Sequence, residues 1–216
     1  MAQYTFFHNP MSRGQIAHWA LHEVGADFAP VIVEWDHKPE ALLAANPMGK
    51  IPTVIHHAPN GNGDGDRVIT EAAAICHYLA EMHPQAALLP NDAEKAPYFR
   101  WLFFAAGPVE IAITAQALGF ETPPDKQRMA GWGSVERTID TLESHFKSSD
   151  FVCGARFTMA DVYLGSAIDW GTMFGAIDAR PAFTAYADRF RGRGAYQAAK
   201  AIDNAMIADR NKEKQS

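Results

Sequence analysis

The sequence predicts an α/β domain of βαβ–ββα order, a small mixed sheet, followed by an all-helical domain. Three observations predict it. Up to residue 83, short β-branched and aromatic runs alternate with segments of helical period. Residues 84–94, PQAALLPNDAE, carry two prolines and no periodicity. Beyond residue 95 the apolar pattern is helical throughout. The 216 residues therefore divide into 1–83, a linker at 84–94, and 95–216, each domain long enough for its own core.

Residues 3–8 (QYTFFH) have the composition of a short strand. The turn N-P-M-S follows, and then Ile16, Trp19, Ala20 and Val24 share one helical face that Gly25 can end. Residues 28–35 (FAPVIVEW) read as a second strand, with Pro30 implying an edge or entry position. A short helix near residues 40–45 precedes strands at 51–57 and 67–70. The N-G-N-G-D-G-D chemistry between them implies an antiparallel hairpin. Ala72, Ile75, Cys76 and Leu79 then recur at helical spacing until His83 and Pro84. Later helices are expected at about 95–118, 124–148, 158–174, 181–191 and 194–210.

A formal charge of −6 offers no basic field for a phosphate backbone, so nucleic acid is not an expected partner. Two cysteines, not in a C-x-x-C arrangement, suit a reducing cytoplasm. The start MAQYTFFHNP lacks the basic n-region of a signal peptide. Residues 101–120 are long and apolar enough to resemble a membrane span, but Pro108, Glu110 and Gln116 favour a buried core helix.

Three places carry candidate chemistry. Ser12 and Gln15 read as a capping box, with Met11 and Ile16 as its hydrophobic staple. The same hydroxyl, at a helix N-terminus, lies where the dipole favours an anion and lowers the pKa of a thiol. In the run N-P-M-G-K-I-P-T, Lys50 offers a cation for a carboxylate. A cis Ile51–Pro52 bond would turn the Ile51 backbone outward to pair with an extended peptide, although one sequence does not fix the isomer. Glu71 at a helix start complements the dipole or pairs with an ammonium group.

In that order, HNPMSRGQIAHWALHEVGADF, NPMGKIPTV and VITEAAAICHYLAE resemble the cytosolic glutathione transferases. FTMADVYLG at 157–165 resembles their helix-capping motif, with Thr158 and Asp161 as the box and Phe157 and Val162 as the staple. The resemblance implies a thioredoxin-like first domain with Pro52 in cis. It implies glutathione as co-substrate, its cysteinyl unit on the Ile51 backbone and its γ-glutamyl end at Glu71 and Ala72. Lys50, helped by His37, would hold the glycine carboxylate. Ser12 would be the catalytic group, as in serine-type bacterial members, stabilising the thiolate for attack on small hydrophobic electrophiles in detoxification. Arg13, where some bacterial members carry cysteine, speaks against disulfide chemistry. Ala72 replaces the serine that often follows the glutamate, removing one hydroxyl contact. The resemblance also implies a homodimer and an electrophile pocket at the domain boundary, lined by Met11, Phe103, Phe104 and Ile111. Isomerase, dehalogenase or peroxidase activity, or a non-catalytic binding protein, are the alternatives.

No metal is expected. His18 and His22 sit at i, i+4, but the spacing is not H-E-x-x-H and the sequence offers no evident third ligand. His8 reads as a strand-end histidine near the thiol position, and Tyr4 lies too early to be the catalytic group. The glycine-rich loop lacks the terminal glutamate of a calcium loop. Cys76, on an apolar helix face, reads as inert core.

Overall fold

β-branched and aromatic residues alternate with polar turns in the first third of the chain, and that region builds the sheet. The computed structural model describes residues 2–58 and 65–213. The chain falls into two compact units, Met1–Ala87 with Arg193–Ser216, and Leu88–Gly192.

In the first unit, strands β1 (Tyr4–His8), β2 (Phe28–Ile32), β3 (Thr53–His56) and β4 (Arg67–Ile69) form one sheet in the order β2-β1-β3-β4. β1 and β2 are parallel, joined by helix α1 (Gly14–Glu23); β3 runs antiparallel to β1 and to β4. Pro30 lies on the edge strand β2, where its missing N–H costs no ladder bond. The expected hairpin joins β3 and β4, while the N-G-N-G-D-G-D turn falls largely outside the described residues. Ile16, Trp19, Ala20 and Val24 bury the expected face of α1, which ends at Gly25 with φ +65°. The unit is completed by α2 (Glu40–Ala45) and α3 (Ala72–Met82). Cys76 is buried in α3, and burial pushes its thiol pKa up, as an inert core residue requires.

The sequence places the last helix with the helical domain in chain order. By packing, α9 (Gly194–Glu213) lies in the first unit, along α1. Arg193 clamps the start of α9 to α1 with two bonds of 2.7 Å to the Glu23 carboxylate. Lys200 donates to Gln15 Oε1 at 2.7 Å, and His18 Nδ1 meets Asp203 Oδ1 at 3.0 Å.

The second unit holds α4 (Lys95–Phe104), α5 (Glu110–Ala117), α6 (Val135–Phe146), α7 (Met159–Met173) and α8 (Pro181–Arg191). The helix expected at 95–118 is not continuous: Ala105–Val109 widens to a π-helix around Pro108. Proline has no N–H for the carbonyl one turn back, and the wider turn accommodates that loss. The expected buried core helix is also corrected. Trp101, Leu102, Ala105, Val109 and Ala112 are buried, but Phe103, Ile111 and Phe120 are 67%, 48% and 64% exposed. No helix among the described residues is long and apolar enough to cross a membrane.

The helix expected at 124–148 shrinks to α6, after a short 3-10 turn at Pro124–Lys126. Gly133 at φ +65° interrupts the helix, and Ser134 restarts it by accepting the Arg137 N–H at 3.2 Å. The capping box of α7 forms as expected: the Asp161 carboxylate accepts the Thr158 N–H at 2.8 Å and its hydroxyl at 3.0 Å. A Cβ at Gly171 would lie 2.5 Å from Ile177 Cδ1, so only glycine lets the chain fold back onto α7 there.

Candidate functional site

Strand register gathers the three candidate segments. Phe7 pairs antiparallel with Thr53, and Val54 antiparallel with Ile69. The exit of β1, the entry to β3 and the exit of β4 therefore share one end of the sheet. Ser12, Ile51–Pro52 and Glu71 lie within a few residues of those three strand ends.

Two Asn-Pro-Met turns shape this edge in the same way. Asn9 Oδ1 accepts the Met11 N–H at 2.9 Å, and Asn46 Oδ1 accepts the Met48 N–H at 3.2 Å. Asn9 is fully buried and donates to the Val33 carbonyl at 2.9 Å, tying the first turn to the chain beyond β2. Asn46 donates to the Lys50 carbonyl at 3.1 Å and to Thr53 Oγ1 at 3.2 Å, bracing the Lys50–Pro52 segment. Sequence reasoning missed both asparagines, although the Asn-Pro dipeptide is their signal.

Ser12 precedes α1, but it does not form the expected box. Its hydroxyl donates to the Asn9 carbonyl at 2.7 Å and accepts the Gly14 N–H at 2.9 Å. The Gln15 amide donates to the Pro10 carbonyl instead, and Met11 is exposed. Gly14 makes this possible: a Cβ there would lie 2.7 Å from His8 Cβ and 3.0 Å from Ser12 Oγ. Glycine at the first position of α1 thus lets the serine hydroxyl and the end of β1 approach each other.

The Ile51–Pro52 peptide is cis. Among the described residues, neither the N–H nor the carbonyl of Ile51 has a hydrogen-bond partner. Lys50 is exposed, and no ion pair engages it among the described residues. His37 is exposed between β2 and α2, and Lys38, a second cation that sequence reasoning did not single out, packs against Gly49.

Glu71 holds φ +62°, ψ 114° at the N-cap of α3, a conformation costing a non-glycine residue about 1–3 kcal/mol. Its side chain is exposed and makes no cap bond, while Ala72 begins the helix behind it. Tyr4 is buried with its hydroxyl 2.9 Å from His83 Nε2, and burial raises its pKa, which suits a structural role.

The family model for the glutathione S-transferase N-terminal domain matches residues 11–82, and that for the C-terminal domain matches residues 112–189. The chain belongs to the glutathione S-transferase family.

Glutathione S-transferase GstA of Escherichia coli O157:H7 is 27% identical over 170 residues, 76% of this chain and 80% of that protein. The maleylacetoacetate isomerase of Pseudomonas aeruginosa is 28% identical over 211 residues, 92% of this chain and 95% of the isomerase. A sphingomonad glutathione S-transferase, solved in complex with glutathione, is 28% identical with a TM-score of 0.73, covering 93% of this chain and 98% of that one. The transferase fold carries the expected thioredoxin-like sheet in its first unit and the helices of its second.

In the second unit of this transferase, Phe103 and Ile111 are exposed and Phe104 is half-buried. A cleft of about 710 Å³ elsewhere in that unit is polar, lined by Arg100, Glu136, Arg137, Asp140 and His145 among others. None of Phe103, Phe104 and Ile111 lines it.

Proposed function

We propose that this glutathione transferase binds the tripeptide along one end of its sheet and holds the thiol as an anion at the start of α1. The observation that carries the reading is the convergence of Ser12, the cis Ile51–Pro52 peptide and Glu71 at that end. The Ile51 backbone, which has no partner among the described residues, is the pairing surface for the cysteinyl unit. Glu71 takes the γ-glutamyl ammonium, with Ala72 beside it at the open N-terminus of α3, where N–H groups donate to a carboxylate. Its costly backbone conformation is consistent with a side chain aimed for binding. Lys50, aided by His37, takes the glycine carboxylate.

A free thiol, with a pKa of about 8.5, is mostly protonated at neutral pH. Beside the N-terminus of α1, and accepting a hydrogen bond from Ser12, it would ionise at about pH 6.5, within the range of thiols so placed. To donate, the Ser12 hydroxyl must turn from the Asn9 carbonyl; the Gly14 N–H stays available to hold its oxygen. The thiolate attacks an electrophilic carbon, a C–S bond forms, and the leaving group departs with its electron pair. Met11, Phe103, Phe104 and Ile111 are the apolar surfaces proposed to hold the electrophile; the exposed Met11, Phe103 and Ile111 also suit a homodimer interface, and two cysteines outside any C-x-x-C arrangement suit the cytoplasm.

The experiment is an ultraviolet titration of the bound thiol in the wild type and in Ser12→Ala, after retention on glutathione resin has tested binding. A bound pKa well below the free value in the wild type, and restored in the variant, supports the assignment. An unshifted pKa in both removes Ser12 from the mechanism, and failure to be retained removes the glutathione site.

A second reading, glutathione-dependent isomerisation, is favoured by the relative that spans 92% of this chain. An isomerase regenerates the thiol, whereas conjugation consumes one glutathione per product. Counting free thiols through a reaction separates the two.

A further inference from the structure

One cluster in the first unit is left chemically unfinished. His8, the last residue of β1, is fully buried, and neither ring nitrogen has a hydrogen-bond partner among the described residues. Asp203, on α9, is equally buried; Oδ1 lies 3.0 Å from His18 Nδ1, and Oδ2 has no partner among the described residues. One ligating atom from each of His8, His18 and Asp203 lies within 4.8 Å of the other two. The surroundings are apolar: Phe6 stacks on His8 at 4.3 Å between ring centroids, and Phe28 stands edge-on to His18 at 5.7 Å.

Each buried polar group without a partner costs about 1–3 kcal/mol, and native proteins keep such groups rare. Here two of them, an imidazole and a carboxylate oxygen, border the same small region. A dication resolves both at once, because imidazole lone pairs and a carboxylate oxygen are its ligands.

We propose that His8, His18 and Asp203 form a zinc site that ties α9 to β1 and α1. Two imidazoles and one carboxylate make a set suited to zinc rather than to calcium or magnesium, which favour all-oxygen shells. Zinc bonds of about 2.1 Å in a tetrahedron separate ligand atoms by about 3.4 Å. His18 Nδ1 and Asp203 Oδ1, at 3.0 Å, are near that spacing, and a ring nitrogen of His8 lies close enough, within 4.8 Å, for side-chain adjustment to complete the triangle. Burial and the neighbouring His18 lower the His8 pKa to about 4, so its ring is neutral at physiological pH, the form that binds metal. His22 is not a ligand of this ion: its Nε2 lies 3.3 Å from His18 Nε2, on the opposite side of the His18 ring from Asp203. The i, i+4 pair legible in the sequence is thus the wrong pair; the partners of His18 come from β1 and from 185 residues along the chain.

The test uses the full chain in glutathione-free buffer, because the tripeptide thiol would itself compete for zinc. Protein is incubated with zinc chloride, passed through metal-free buffer and analysed for metal. The expected result is about one zinc per chain in the wild type and in His22→Gln, falling at least tenfold in His8→Asn and Asp203→Asn. Circular dichroism checks that both variants fold. A cobalt titration of the wild type alone, saturating at one equivalent with the absorption of a tetrahedral site, reads the same geometry without any variant. No retained zinc in the wild type, or equal retention in folded His8→Asn and Asp203→Asn, overturns the proposal. The outcome is independent of glutathione binding, which the resin experiment reads separately.

Discussion

Each unit holds an aspartate with no exposed surface, Asp161 in the second and Asp203 in the first, and the two are bonded differently. In the second, Asp161 accepts four hydrogen bonds: from the N–H groups of Val152 at 2.7 Å and Thr158 at 2.8 Å, and from the hydroxyls of Thr158 and Tyr186, both at 3.0 Å. In the first, among the described residues, Asp203 meets only His18, and its second oxygen has no partner. The histidines repeat the contrast. His145 in α6 sits 3.1 Å from the Val152 carbonyl, while His8 has no partner at either nitrogen among the described residues. A buried polar group with every bond made is architecture; one with bonds left open marks a place for something else.

The comparison breaks most readily at Asp161. Asp161→Ala orphans four donors and is expected to destabilise the second unit by about 4 kcal/mol, read as a fall in the urea midpoint. Asp203→Asn in metal-free protein keeps an acceptor for His18 and is expected to cost about 1 kcal/mol or less. Equal losses for the two aspartates would erase the distinction drawn between them.

Zinc sharpens the same contrast. At a hundredfold excess over its dissociation constant, it is expected to stabilise the wild type by about 2.7 kcal/mol and to leave Asp203→Asn unmoved. Thermal unfolding with and without the metal reads the difference.

Ser12 lies between the two extremes, since its proton is engaged but by a carbonyl it can leave. Ser12→Ala is expected to lower kcat/KM about thirtyfold, close to 2 kcal/mol for a bond to a charged sulfur, with little loss of stability. A steady-state comparison checks it, and an unchanged kcat/KM would put Ser12 with the purely architectural groups.

The smallest effect concerns His145, whose pKa is lowered by burial and by nearby Arg100, with the Val152 carbonyl opposing. A histidine depressed in the folded state contributes stability above its unfolded pKa, near 6.5, and loses it as pH falls through the lower folded value. The second unit should therefore weaken gradually below that pH. His145→Gln should flatten the decline, measured as the midpoint against pH.

Much of the fold is visible in residue order because short-range physics controls it. Alternating strands, the edge proline Pro30, Gly25 after α1, and the Thr158–Asp161 box each depend on neighbours a few residues away. The same local reading failed where breakers opposed periodicity. Gly133 ended what looked like a helix from 124, and Pro108 widened one that looked continuous. Within the candidate site, Ser12, Lys50, Pro52 and Glu71 could be named from motif order. The Asn9 and Asn46 braces went unread because their work lies in side-chain bonds to backbone.

By itself, the order of residues determined the βαβ–ββα plan, the helical second half, and which segments carry the contacts proposed for a tripeptide. Ile51–Pro52 is cis, as the family resemblance implied though no local pattern required it; tertiary structure alone decided that Glu71 is held at positive φ and that α9 returns to α1. It alone brought His8, His18 and Asp203 together. Periodicity and turn chemistry act over one or two turns of chain. The partner of a buried charge is chosen by whichever distant segment packs against it.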